Sequence, residues 1–213
     1  MKPLLKPIRL VGALGVLALL AACGGGEPAT RSLSAASDLP QVSAAALAPM
    51  WNVVGVSIDV PQSLHVSEAN LYYPIADIVW RGEARGDRRA QVREIFTDAA
   101  TRATEGMHKG RPVTVDIEVT RFHAVTEKVR YTFGGTYSMK FLVTLHDAQT
   151  GEEIGAPRFV DASHPASGGQ KAIDEEARGL TQKVVVTDFL SKAIAAELAR
   201  PVSAQGEAIA SAQ

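Results

Sequence analysis

Val113-Thr114-Val115-Asp116-Ile117-Glu118-Val119-Thr120 alternates apolar and polar residues without a break. Tyr137-Ser138-Met139-Lys140-Phe141 opens a second such run. It continues through Val143 and Leu145 to His146, with Leu142 as the one breach. A period of two puts every apolar side chain on one face of a strand. Asp147-Ala148-Gln149-Thr150-Gly151 then reads as a tight turn, Gly151 supplying a positive φ. A third strand is expected over residues 153–161. Together these segments predict an antiparallel meander with one buried face.

Upstream, Val54, Val56, Ile58 and Val60 alternate with polar or small residues as a half-buried strand, and Pro61 ends it. A short strand is expected over residues 76–81, with Ile78 and Trp80 on one face. Asp87, after Gly86, is a good N-cap for a helix. Val92, Ile95, Phe96, Ala99, Ala100 and Ala103 make that helix's apolar stripe. Gly106 and Gly110-Arg111-Pro112 stop it.

Downstream of the meander, residues 162–172 read as a polar loop. A long helix is expected over residues 174–200. Leu180, Val184, Leu190, Ile194 and Leu198 lie on one side of it, and Val185 and Phe189 fall roughly opposite. Those two need a second surface, either a covering loop or tether, or a partner or dimer contact. The fold class expected is α+β: an antiparallel sheet of four or five strands with two helices packed on one face.

The N-terminus carries an address. Lys2, Lys6 and Arg9 precede an uncharged run from Leu10 to Ala22, a pattern that defines a cleaved secretory signal. The run is 13 residues long, and a transmembrane helix needs about 20. Leu20-Ala21-Ala22-Cys23 resembles the lipobox of bacterial lipoproteins. That resemblance implies diacylglycerol on the Cys23 thiol, cleavage before it, and acylation (palmitate, for example) of the freed amine. Two or three chains anchor firmly, because each buried CH₂ contributes about 0.8 kcal/mol. Gly24 follows where an aspartate favours inner-membrane retention, so the resemblance implies an outer-membrane lipoprotein facing the periplasm.

The expected organisation is a signal peptide over 1–22, a lipidated Cys23 with a tether to 49, one domain over 50–200, and a tail over 201–213. The precursor carries 22 basic and 23 acidic residues. Loss of the signal leaves a mildly acidic chain, with no basic field for nucleic acid. Cys23 is the only cysteine, so once lipidated it leaves no thiol for a disulfide and the fold stands on its core.

No pair of histidines stands at metal-ligand spacing. His123 and His146 fall on strand ends that could neighbour each other. Asp161, Ser163 and His164 invite comparison with a hydrolase triad, but they crowd one short loop. No cofactor and no catalysis are expected. Tyr131 and Phe133 lie at a Gly134-Gly135 tip beside Lys128 and Arg130. Exposed aromatics with basic neighbours suit a protein or membrane contact. Trp80-Arg81 joins residue types that often anchor interfaces. With Val185 and Phe189, these six residues are the candidate partner surface.

The order strand, helix, meander, helix behind a lipobox resembles small proteobacterial lipoproteins of unknown function. Residues 113–161, with the Asp147-Ala148-Gln149-Thr150-Gly151-Glu152 turn, also resemble the α/β domain of periplasmic assembly lipoproteins. Those include the curli-secretion pore lipoprotein and the lipoprotein activators of penicillin-binding proteins. The resemblance implies a scaffold or accessory lipoprotein that binds an envelope protein, or itself, without chemistry. The other reading is a periplasmic module for a small ligand or lipid, which needs an apolar pocket between sheet and helices.

Overall fold

The structure, a computed structural model, describes residues 51–202. Cys23, the signal, the tether and the tail beyond residue 202 lie outside the described residues. The element order is β1 (Trp51–Asp59), β2 (Val66–Ser67), β3 (Ile78–Val79), α1 (Arg88–Thr104), β4 (Arg111–His123), α2 (Glu127–Arg130), β5 (Gly135–Asp147), β6 (Arg158–Asp161), β7 (His164–Ala166), α3 (Gly169–Ala177) and α4 (Gln182–Leu198).

The α+β class holds, but the sheet is mixed and has seven strands. β4, β5 and β6 form the antiparallel meander read from the alternation. β1 and β3 instead run parallel to β4. The reason is α1. It carries the chain back across the sheet before β4 begins, and a crossover of that length returns the next strand parallel. Strand periodicity reports which face is buried and says nothing of strand direction.

β4 and β5 are the spine. Val113, Val115, Ile117 and Val119 face the helices together with Tyr137, Met139, Phe141, Val143 and Leu145. Thr114, Asp116 and Glu118 pair with His146, Thr144 and Leu142 on the open face. Leu142, the breach in the pattern, lies there opposite Phe159. In β1 the register slips between Val53 and Gly55. The helix face is therefore Val53, Val56 and Ile58, and Val54 is displaced from the expected stripe.

α1 begins where the sequence placed it. The Asp87 side chain accepts a hydrogen bond from the Ala90 amide at 3.1 Å, and all six residues of the expected stripe are buried. Phe96 joins the layers, edge-on to Phe141 at 5.3 Å and tilted against Phe122 at 6.1 Å.

The expected 174–200 helix is two helices. Gly179 takes φ 84°, and Thr181 caps a new start by accepting from the Val184 amide. The second helix buries an arc centred on its Val186–Leu190 side. Val186, Phe189, Leu190, Ile194 and Leu198 are buried, while Leu180 and Val184 are exposed. Residues 162–172 are not simply a loop, since they hold β7 and the start of α3.

The ends of the described chain meet at one pole. Trp51 pairs with Arg111, and its indole Nε1 donates to the Leu198 carbonyl at 3.0 Å. β4 then runs the length of the sheet to His123, about 40 Å away at ~3.3 Å per residue.

Candidate functional site: an aromatic groove at the far pole

At the His123 end, residues 68–77 form a loop held at several points. Arg88 clasps the Glu68 carboxylate at 2.5 and 3.0 Å, and Arg81 donates to the Glu68 carbonyl. The Thr126 hydroxyl donates to the Leu71 carbonyl, and the Lys128 amide donates to Asn70 Oδ1. His123 Nε2 lies 3.0 Å from the Pro74 carbonyl, and Asp77 Oδ2 accepts from the His65 amide.

With the backbone so held, the side chains of Leu71, Tyr72, Tyr73 and Ile75 still face solvent, Tyr73 82% and Ile75 94% exposed. Contiguous large apolar groups on a fixed scaffold are a binding surface by default, because leaving them wet forgoes burial energy.

α2 supplies the opposite wall. Thr126 is buried, and its hydroxyl caps the helix by accepting from the Val129 amide. The turn beyond ends at Gly134, φ 74°, where a Cβ would lie 2.4 Å from the Ala166 carbonyl oxygen. That close approach projects Phe133, 64% exposed, over Tyr72. Lys128 Nζ sits 4.8 Å from the Tyr72 ring centroid on the rim, in cation–π range. Between the walls lies a groove of about 420 Å³, lined by Tyr73, Pro74, Val125, Val129, Phe133 and Thr136 among others.

Of the residues expected at a partner surface, Tyr131 and Phe133 are exposed at this pole. The Tyr131 hydroxyl donates to Glu176 at 3.1 Å; burial and that carboxylate push its pKa up. Trp80 is corrected to the core. It is fully buried, edge-on to Phe122 at 5.5 Å, with Nε1 donating to Glu83. Arg81 is tied to Glu127 and Glu68, so its guanidinium is engaged internally. Phe189 is also corrected: 9% exposed, it stacks between Tyr137 at 5.8 Å and His164 at 5.0 Å. Val185 packs half-buried against the same core. The second surface those two required is provided by β5, β7 and the rest of the core.

Leu71-Tyr72-Tyr73-Pro74-Ile75 went unread in the sequence. It has no period, and its signal is compositional: two tyrosines and two aliphatics around a proline, outside any element.

The histidines do not converge. His123 pairs with Ser138 and His146 with Thr114, at opposite ends of the same two strands. Ser163 donates its hydroxyl to Asp161 at 2.5 Å, while His164 stacks on Phe189. Among the described residues, no group of three or more His, Cys, Asp or Glu could hold a metal ion, and no helix is long and apolar enough to cross a membrane.

Fold and site define an α+β domain with a mixed sheet, helices on one face and an aromatic groove at one end. The chain belongs to the family of unknown function DUF6778, whose model matches residues 51–213. No curated protein matches it. Two of the solved structures that match are distant in sequence. One is a Xanthomonas campestris protein of family DUF330, 15% identical over 71% of this chain and 87% of that one, TM-score 0.43. The other is a candidate lipoprotein from Caulobacter crescentus, 15% identical over 74% and 92%, TM-score 0.32.

Proposed function

We propose that this chain is an envelope lipoprotein, acylated at Cys23 and held at the periplasmic face of the outer membrane. Its domain is a non-enzymatic accessory or scaffold module that docks an envelope protein in the aromatic groove. The observation that carries the reading is the exposed Leu71–Ile75 side chains on a clamped loop, stacked against Phe133. Tyrosine and phenylalanine offer large contact area at low entropic cost. Trp51, the first described residue, and the groove lie at opposite ends of β4. Anchoring raises the local concentration of the groove near an envelope partner.

The test is a photocrosslinking residue in place of Phe133 or Tyr73 in cells, with Asp174 as a control position. A discrete adduct from the groove positions, lost in a Cys23→Ser chain, supports docking at the membrane. Equal labelling from all three positions argues against it. Labelled palmitate with and without globomycin tests the anchor separately.

A second reading rests on the groove's volume. About 420 Å³ with an apolar lining falls within the range that holds small ligands or a lipid chain. Mass spectrometry of organic extracts from the purified protein separates the two readings. A stoichiometric lipid that disappears in Phe133→Ser favours the ligand module.

A further inference from the structure

Among the described residues, the sheet leaves one edge open. β1 pairs with β4 along one side only. On its other side the first residues are covered: the Val53 amide donates to the Met107 carbonyl at 2.9 Å, and Asn52 bridges His108. From Val54 to Asp59, no described residue pairs with the outer edge. Such an edge is a row of N–H and C=O groups spaced to accept another strand. Proteins commonly blunt these edges with lysine, inward-facing charge or proline. Residues 51–58 contain none of these three, and the first charge is Asp59; the one other such device is the register slip between Val53 and Gly55, which stands at the start of the open run.

The surroundings are shaped for a strand as well. Val56 and Ile58 share the helix face with Val115 and Ile117, yet Val56 remains exposed. Beside them a groove of about 240 Å³ separates the β1 edge from α1. Its far wall is Thr97, Thr101 and Thr104, on one flank of the helix. Their hydroxyls donate to the carbonyls of Arg93, Thr97 and Ala100 at 2.8, 2.8 and 2.9 Å. With the hydroxyls satisfied inside the helix, the wall offers methyl groups to whatever fills the groove.

We propose that this edge takes the β1 strand of a second copy of the chain, antiparallel, giving a twofold dimer with one sheet running through both copies. Charge and symmetry select this occupant. An antiparallel self-pair sets the uncharged Val54–Ile58 run against itself and sends the two Asp59 carboxylates to opposite ends of the contact. The same twofold brings the two threonine flanks toward one another, as an isologous contact requires. The inference does not depend on the aromatic groove, which lies at the other end of β4.

Sedimentation velocity of the full chain in density-matched detergent tests it. The wild type is expected to sediment as a dimer. Ser57→Lys puts charge on the edge itself, and Thr101→Lys puts two like charges across the twofold from an exposed helix position. Either is expected to weaken dimerisation about tenfold or more, with the far-ultraviolet circular dichroism of the folded domain unchanged and the melting temperature losing its dependence on protein concentration. Weakening by Thr101→Lys suffices if Ser57→Lys disturbs folding. A wild-type monomer, or a dimer that neither substitution weakens, overturns the proposal.

Discussion

Phe133 stacks on Tyr72 with ring centroids 5.4 Å apart and planes 21° apart, though the rings come from different loops and both face solvent. Hydrogen bonds behind them, from Thr126 to Leu71 and from the Lys128 amide to Asn70, set the spacing. Removing one ring should therefore change the surface and leave the scaffold standing. Phe133→Ser is expected to cost no more than about 1 kcal/mol of stability while abolishing the groove adduct. Thermal melts and crosslinking on the same preparation check both halves.

Phe189 and Val184 make a contrast within one helix. Phe189 is sandwiched between Tyr137 and His164, whereas Val184 is 44% exposed. Phe189→Ala should lose about 3 kcal/mol, and Val184→Ser less than about 0.5 kcal/mol. Urea denaturation of both variants measures the difference. Near-equal values would contradict the phase of α4.

Two glycines with similar positive φ should respond differently. Gly134 has the Ala166 carbonyl oxygen 2.4 Å from where a Cβ would stand, while Gly151 has nothing within 4 Å. Gly151→Ala bears only the left-handed backbone penalty, about 1 kcal/mol. Gly134→Ala adds a clash with fixed backbone and should cost about 3 kcal/mol. It should also displace Phe133, visible as reduced groove crosslinking.

Acid should loosen the groove's foundation. Hydrogen bonding from Arg88 holds the Glu68 carboxyl below the ordinary range. Burial pushes Glu127 up, but hydrogen bonds from Arg81 and from its own backbone outweigh that and hold it down. A carboxylate with a depressed folded-state pKa contributes stability above its unfolded value, and loses it as pH falls through the folded one. The melting temperature should hold from neutrality to about pH 5 and drop below about pH 4. Glu68→Gln should melt lower at pH 7 and show a shallower acid decline.

Much of the fold could be read locally. Alternation at Val113–Val119 and Tyr137–Leu145 identified the buried face of the two spine strands, since a period of two depends only on neighbouring residues. Asp87 and its stripe located α1 for the same reason, and Gly151 located the turn. What the pattern lacked was information about distance. β1 lies parallel to β4 because α1 crosses between them, and no residue within either strand carries that fact. Thr181 did carry a signal, an N-cap after Gly179, and reading through it joined two helices into one.

By itself the sequence determined the class α+β, the first helix and the spine strands. Each rests on local chemistry: periodicity, capping, a positive φ. The tertiary structure alone decided that Trp80 and Phe189 are core and that Tyr72 meets Phe133. It also decided that, among the described residues, nothing pairs with the outer edge of β1 from Val54 to Asp59. Burial and pairing are properties of the neighbours a residue finds at long range, and a side chain equally suited to core or interface takes the role its neighbours leave it.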